Sequence, residues 1–530
     1  MTILKILGAN KRKVARFPKN HVSLVIGIAS LLISFLYVES TCGADNGQES
    51  DNRNRAASYA TYGAVFNDYQ SELNELAKKC DDLKMPLEAQ VTRSFLYAEK
   101  PYYFVVPLLS DKRNTTELPD DASKNQRFWY QRLRKIRESY SREAYKVAER
   151  YALKNRGYDV VASILTALYI DPDNENARRF FGYSLKDGVW RSKWQLRQLE
   201  KGLVYDPKFG WIPEERLDRY NRGERFYKNQ WTSKAEEAES ILASSSGWRV
   251  ETEHFSILSR VSLERGVEIG RFLESYYQAW SRLFYRFIAT DVQWRARLKT
   301  DSEIVSKKHK VILYHDRKEY LRELKKHEGN IVQSNGGYFP SMRCTFVYEP
   351  GEDEDFELFP LLAHEATHQL FEECNVASAS RNKTDFQTRA QLGNFWCVEG
   401  VAVYAETFRL NGSQTSATLG GYRDVFRVQC AMESLFEDNS YVKLREYAQL
   451  NRSEFQARKD LPLLYSEAAG LTFFFMHYKN GVYRDPFVTY LFYVYQGIDR
   501  PNTLEEAIGK SFEEIDAEYR EFMSELYRNN

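Results

Sequence analysis

Residues 364–368 read His-Glu-Ala-Thr-His, two histidines and a glutamate within five positions of a chain that has only eight histidines in 530 residues. That spacing constrains the backbone first. In a helix, positions four apart lie one turn above each other on the same face, so His364 and His368 can converge on a single ion while Glu365 stands beside it. The flanking Phe359, Leu361, Leu362, Ala363, Ala366, Leu370 and Phe371 supply the apolar surface of a buried helix over about 361–373. A plainer reading, a core helix with two hydrogen-bonded histidines, stands beside this one until a third ligand is found.

One helical turn offers two ligands, so a third must come from elsewhere. Thirty residues on, the run N-F-W-C-V-E-G-V-A-V-Y-A-E carries Phe395, Val398, Ala402 and Ala405 at helical spacing around Glu399. A second helix crossing the first would bring that carboxylate to the same ion. Zinc held by three protein ligands keeps a fourth position for water and lowers the pKa of that water to roughly 7; Glu365 is placed to take the proton.

HExxH followed by W-x-x-E-G-x-A-x-Y-x-E resembles the gluzincin branch of zinc metallopeptidases. The resemblance implies a zincin-like catalytic domain with a small mixed β-sheet and an HExxH active-site helix, Zn2+ as cofactor, and a peptide or protein substrate. It implies Glu399 as the third ligand and Glu406, at the matching later position, as a residue that orients a ligand; a solvated helix face is the other reading of Glu406. Tyr465, in L-P-L-L-Y-S-E-A-A-G, is similar to the tyrosine that steadies the oxyanion in the aminopeptidase-like members, although Gly470 stands off the usual offset and a core role is equally open. The G-x-M-E-N segment that binds a free amino terminus in the exopeptidases is missing from the stretch before the helix. That stretch, 337–348, reads as an edge strand able to pair with an extended peptide. W-R-V-E-T-E-H-F-S-I-L-S from Trp248, K-V-I-L-Y-H-D-R-K-E-Y, the HExxH stretch, E-G-V-A-V-Y-A-E and the closing I-G-K-S-F-E-E-I-D-A-E-Y-R-E-F together also resemble a family of secreted peptidase-like proteins of planctomycete bacteria.

The net charge of +1 gives no reason to expect a nucleic-acid partner, and 43% hydrophobic with 15% aromatic residues excludes wholesale disorder. Lys5, Lys11, Arg12, Lys13, Arg16 and Lys19 precede an uncharged run over 22–38, so residues 1–44 read as an export signal, either cleaved near Ala44 or retained as a membrane anchor through 22–38. Residues 45–56 read as a disordered spacer. Beyond Cys42 the cysteines are Cys80, Cys344, Cys374, Cys397 and Cys430; one or two disulfides near the cleft are open, and Cys397 reads as a buried thiol.

Residues 57–245 read as a helical module. A D-P-D-N turn at 171–174 followed by A-R-R-F-F-G-Y resembles the end of a tetratricopeptide-type hairpin. Trp190, Trp211 and Trp231 recur about every twenty residues, each ahead of a short charged helix started by Ser or Pro, as small repeated units or as core tryptophans with accidental spacing. The Glu352–Asp355 and Asn375–Lys383 stretches read as solvated loops, the second carrying the sequon Asn382-Lys383-Thr384. The expectation is therefore an α+β, mainly α protein: a helical module, then a zincin-like domain over 246–530 that hydrolyses peptide bonds after export. The rival is a non-catalytic binding or scaffold protein with a structural or vestigial zinc site, against which an intact Glu365 weighs.

Overall fold

The protein is seen in a computed structural model that describes residues 48–96, 102–113, 118–244, 246–300, 307–326, 334–374, 393–411, 416–421 and 425–528. The export segment and the 375–383 loop with its sequon lie outside the described residues. Sixty per cent of the chain is helix and 14% strand in small sheets, an α+β architecture that is mainly α.

Apolar residues at helical spacing, Phe66, Tyr69, Leu73, Leu76 and Cys80, draw α1 (Gln48–Asp82) against α2 (Pro86–Ser94) and α3 (Lys124–Leu153). Helix α1 begins inside the stretch expected as spacer. From Gln48 to Arg55 the chain has neither Gly nor Pro, so nothing stops the helix from continuing back through polar residues. Between α2 and α3 runs a strand, β1 (Tyr103–Pro107). Helix α4 (Gly157–Ile170) packs on α3, and the 171–174 turn leads into α5 (Glu175–Phe180), whose Ala177 N–H is capped by the Asn174 side chain.

The tryptophan period corresponds to three strand–strand–helix units. They are β2 (Tyr183–Lys186), β3 (Val189–Ser192) and α6 (Lys193–Glu200); β4 (Leu203–Asp206), β5 (Gly210–Pro213) and α7 (Leu217–Asn221); β6 (Glu224–Tyr227), β7 (Gln230–Ser233) and α8 (Lys234–Ala243). Each begins on a glycine, Gly182, Gly202 or Gly223, at φ of 87°, 75° and 88°, the left-handed residue that ends the helix before it. Ser192 and Ser233 make reciprocal capping boxes with Gln195 and Glu236. Only Trp190 is fully buried; Trp211 and Trp231 are half-buried and lie against Trp194 and under Arg219.

A five-stranded mixed sheet of order β11-β12-β10-β9-β8 forms from β8 (Trp248–Glu251), β9 (Phe255–Ser259), β10 (His309–Tyr314), β11 (Gly336–Phe339) and β12 (Cys344–Tyr348). Strand β10 is parallel to β9 and β12, whereas the edge strand β11 is antiparallel. Helices α9 (Leu263–Leu283), α10 (Tyr285–Ile288), α11 (Asp291–Ala296) and α12 (Arg317–Leu324) join these strands. Then come α13 (Leu358–Glu373), α14 (Phe395–Ala405), β13 (Arg409–Leu410), β14 (Ser416–Gly420), α15 (Phe426–Phe436), α16 (Leu444–Gln449), α17 (Arg452–Ala457), α18 (Leu461–His477), α19 (Arg484–Gln496), α20 (Thr503–Ile508) and α21 (Phe512–Arg528).

The two halves are interwoven. Strand β1 pairs antiparallel with β14, from Tyr103 opposite Gly420 to Pro107 opposite Ser416, and Phe104, Val106 and Leu108 join the C-terminal core. The stretch 103–107 thus belongs structurally with the later half. Among the described residues Cys80, Cys344, Cys374, Cys397 and Cys430 are all free thiols, and no helix is long and apolar enough to cross a membrane.

Helix α18 carries a carboxyl into that core. Glu467 is 2% exposed; one oxygen accepts the Val442 N–H at 2.9 Å and the other has no partner among the described residues. Burial pushes its pKa up to about 8. The folded chain therefore holds a proton that the unfolded chain releases above the usual carboxylate range, so stability falls between about pH 4.5 and 8, by up to about 1.4 kcal/mol per pH unit. Glu467→Gln is expected to remove that slope, making the variant increasingly more stable than the parent from pH 5 to pH 8; parallel slopes in urea unfolding would contradict it.

Candidate metal centre

Helix α13 is held in place on its core side. Leu362, Ala363, Ala366 and Leu370 are essentially inaccessible, and the Thr367 hydroxyl bonds the Ala363 carbonyl and the Tyr276 hydroxyl of α9. Gln369 donates to the Lys310 carbonyl at 3.1 Å, and its Oε1 accepts from the Thr345 hydroxyl at 3.1 Å, which pins the helix to β10 and β12. Glu373 accepts from the Tyr338 hydroxyl at 3.2 Å, Gln369 Nε2 at 3.2 Å and Arg343 at 3.1 Å, and the buried His309 ring lies 2.9 Å from it. With these faces committed inward, His364 and His368 are left on the remaining face.

Helix α14 crosses α13 and is buried over its whole length. Such a helix needs close neighbours on every side. A Cβ at Gly400 would collide with the Thr472 hydroxyl and stand 2.6 Å from the Ala468 carbonyl of α18, so glycine lets α14 seat directly on α18. That seating presents Glu399 to α13. Its Oε2 lies 3.7 Å from His364 Nε2 and 3.8 Å from His368 Nε2, and the two Nε2 atoms are 3.2 Å apart. His364, His368 and Glu399 form a triad able to hold a metal ion, the one such group among the described residues.

The surrounding groups suit a cation. His364 Nδ1–H donates to Glu406 Oε1 at 2.8 Å, which turns Nε2 toward the triad. Burial disfavours charge on His364, but hydrogen bonds to Glu399 and Glu406 overcome it and push the pKa up to about 10. His368 goes the other way, down to about 4, because burial outweighs the pull of Glu399. Burial would raise Glu399, yet its hydrogen bond to His364 and the charge of both histidines hold it below its ordinary value. Buried Glu399 thus faces both imidazoles, and the partly exposed Glu406 holds His364 from outside, a donor set whose negative charge a divalent cation would balance.

Glu365 is 8% exposed and points to the edge strand, where Oε2 accepts the Tyr338 backbone N–H at 2.8 Å. Burial raises its pKa, the His364 charge opposes that, and Glu399 adds to it. Tyr465 lies at the start of α18, near enough to Glu399 and Glu365 for both to raise its phenol further beyond what burial does. Its hydroxyl accepts from Gln456 Nε2 at 3.1 Å, and its ring packs on Phe455 and under Arg427. Cys397 is fully buried, with its thiol 3.1 Å from the Asn394 carbonyl, away from the triad's donors.

The six residues singled out in the sequence therefore gather around one centre. Tyr338, whose contribution is a backbone N–H, leaves no side-chain signal in the sequence, and neither does the clamp of Gln369, Glu373 and His309, whose partners lie in distant strands. Neither a protein-family model nor a curated protein matches this sequence.

Two substitutions probe the geometry. Glu406→Gln is expected to weaken metal binding by about 10–100-fold, read by competition with a chromophoric chelator, while leaving the fold intact. Gly400→Ala is expected to cost about 1–3 kcal/mol of stability through overpacking and to weaken metal binding as well, because Glu399 moves with the helix; unchanged affinity in that variant would break the proposed link between seating and ligation.

Proposed function

We propose that the chain is a zinc-dependent peptidase of gluzincin type, exported from the cell and acting on peptide or protein substrates. The observation that carries this reading is the triangle of His364, His368 and Glu399 with Glu365 beside it. Tetrahedral zinc bound at 2.0–2.2 Å wants donors about 3.3 Å apart, and the triangle's edges of 3.2, 3.7 and 3.8 Å meet that within about half an ångström. Two imidazoles and one carboxylate also form the ligand set of a catalytic site that keeps a position open.

Zinc, when bound, supplies a Lewis acid that brings the pKa of water near 7 and polarises a carbonyl. The chain's own groups do the rest. Glu365 accepts the proton of the attacking water and passes it to the leaving amine; the Tyr338 N–H holds one of its oxygens so that the other is free to work. Burial, which raises the Glu365 pKa, makes it a stronger base once ionised. Glu406 keeps His364 in one tautomer and orientation. Tyr465 donates from its hydroxyl to the developing oxyanion, exchanging Gln456 for substrate. Strand β11, at the sheet edge and already touching Glu365, offers backbone groups for an extended peptide.

A structural metal site has no need of a buried, strand-held carboxylate next to its ligands, which favours the enzyme over a scaffold. The test is zinc per chain in purified protein together with hydrolysis of a mixed peptide library. Stoichiometric zinc is expected in the parent. In Glu365→Gln, zinc is expected to stay while hydrolysis falls about 10²–10⁴-fold; Tyr465→Phe is expected to lose about 10²-fold with zinc unchanged. A parent that binds no zinc, or a Glu365→Gln protein as active as the parent, would overturn the mechanism.

A further inference from the structure

A cation stands on the Tyr465 side of the metal centre that the hydrolytic chemistry does not use. Arg427, in the first turn of α15, holds its guanidinium 5.2 Å from the centre of the Tyr465 ring. It is half-buried, and among the described residues it makes no ion pair and no hydrogen bond. Arg225, Arg260 and Arg265, at comparable or deeper burial, hold Glu264, Glu319 and Glu349. Nor does its own helix favour it, because a positive charge is stabilised at the C-terminal end of a helix and Arg427 is at the other.

Packing fixes where that cation lies relative to the metal ligands. Phe395 and Glu399 are one turn apart on α14, so they share a face. Phe455 of α17 packs on Phe395 with 5.2 Å between ring centres, and Tyr465 packs on Phe455 at 5.4 Å. Tyr465 is also one turn ahead of Ala468, the residue whose carbonyl lies against Gly400, next to Glu399. The order along this wall is therefore Glu399, Tyr465, Arg427. The phenol responds to the same neighbours: beyond the effect of burial, Glu399 and Glu365 raise its pKa and Arg427 lowers it. With the guanidinium over the ring, the phenol oxygen is about 6 Å from it, less than two residues of an extended chain at about 3.3 Å each.

We propose that Arg427 binds a carboxylate of the substrate within two residues of the scissile bond, so that acidic peptides are preferred; this rests on the peptidase reading of the metal centre. A guanidinium offers a rigid fork of N–H donors that matches the two oxygens of a carboxylate, and this one is already partly out of water. When Tyr465 holds the carbonyl under attack, a carboxylate one or two residues along the chain reaches Arg427. An Asp or Glu side chain and a free C-terminus present the same group.

The experiment is hydrolysis of matched peptide pairs by the zinc-loaded full chain, with Glu or Gln at each position near a single cleavage site and with the C-terminus free or amidated. In the parent, kcat/KM is expected to be about 10–100-fold higher for the carboxylate member at one position; whether that member is the Glu peptide or the free C-terminus tells the two sources apart. In Arg427→Gln the ratio is expected to fall to near unity, and in Arg427→Glu a Lys peptide is expected to overtake the Glu peptide. The ratio is taken within each variant, so an arginine that merely propped the Tyr465 ring would slow both members together and leave the ratio unchanged, which would overturn the proposal. So would a parent with no carboxylate preference. Should Arg427→Gln fail to fold, Arg427→Lys, which keeps the charge and loses the fork, is expected to lower the ratio, and an unchanged ratio there counts against the subsite. A parent that cleaves no peptide would overturn the peptidase reading alone. Binding of the same pairs to the Glu365→Gln protein then decides the subsite: tighter Kd for the carboxylate member, lost on adding Arg427→Gln, is expected, and equal Kd values for the two members would overturn it.

Discussion

Three polar side chains within 4 Å of one another in an apolar core are costly unless the surrounding structure holds them there. The crossing of α13 and α14 does this, and its tightness depends on Gly400. A larger residue would lift α14 from α18 and withdraw Glu399 from the histidines. The polar clamp behind α13, from Gln369 and Glu373 to the β10–β12 pair, resists the same displacement from the other side. The centre is thus positioned by two packing contacts that carry no chemistry themselves.

Most of this centre was legible because its information is local. The four-residue spacing of His364 and His368 has one useful geometry, and Glu399 and Glu406 are one helical face of a short motif, seven residues apart. The expected helix began near Leu361 and the observed one begins at Leu358, a turn earlier, since nothing in Leu358–Pro360 opposes the first turn. The fold class followed from periodicity in the same way. Contacts between distant segments were not legible: the Tyr338 N–H on Glu365 depends on where an edge strand falls, and the pairing of β1 with β14 depends on residues more than three hundred positions apart.

The tryptophan repeat is an intermediate case. Its period was visible, but its hairpins were hidden because each strand has only four residues, too few for alternation to register. What marks all three units is the glycine that closes the preceding helix, while a serine capping box opens the helix of the first and third. The tryptophan itself varies from buried to half-exposed, so the conserved element of the design is the turn chemistry and not the aromatic core.

The pairing of β1 with β14 also sets a schedule for folding. Phe104 and Val106 emerge early, yet the strand that covers them is made roughly 300 residues later. At synthesis rates of 5–20 residues per second that interval is about 15–60 s, during which an apolar strand with unpaired backbone groups is available to any other edge. The early half of the chain therefore cannot finish folding ahead of the late half, and a holdase or a fast passage to a compartment where the whole chain is present would protect the same five residues.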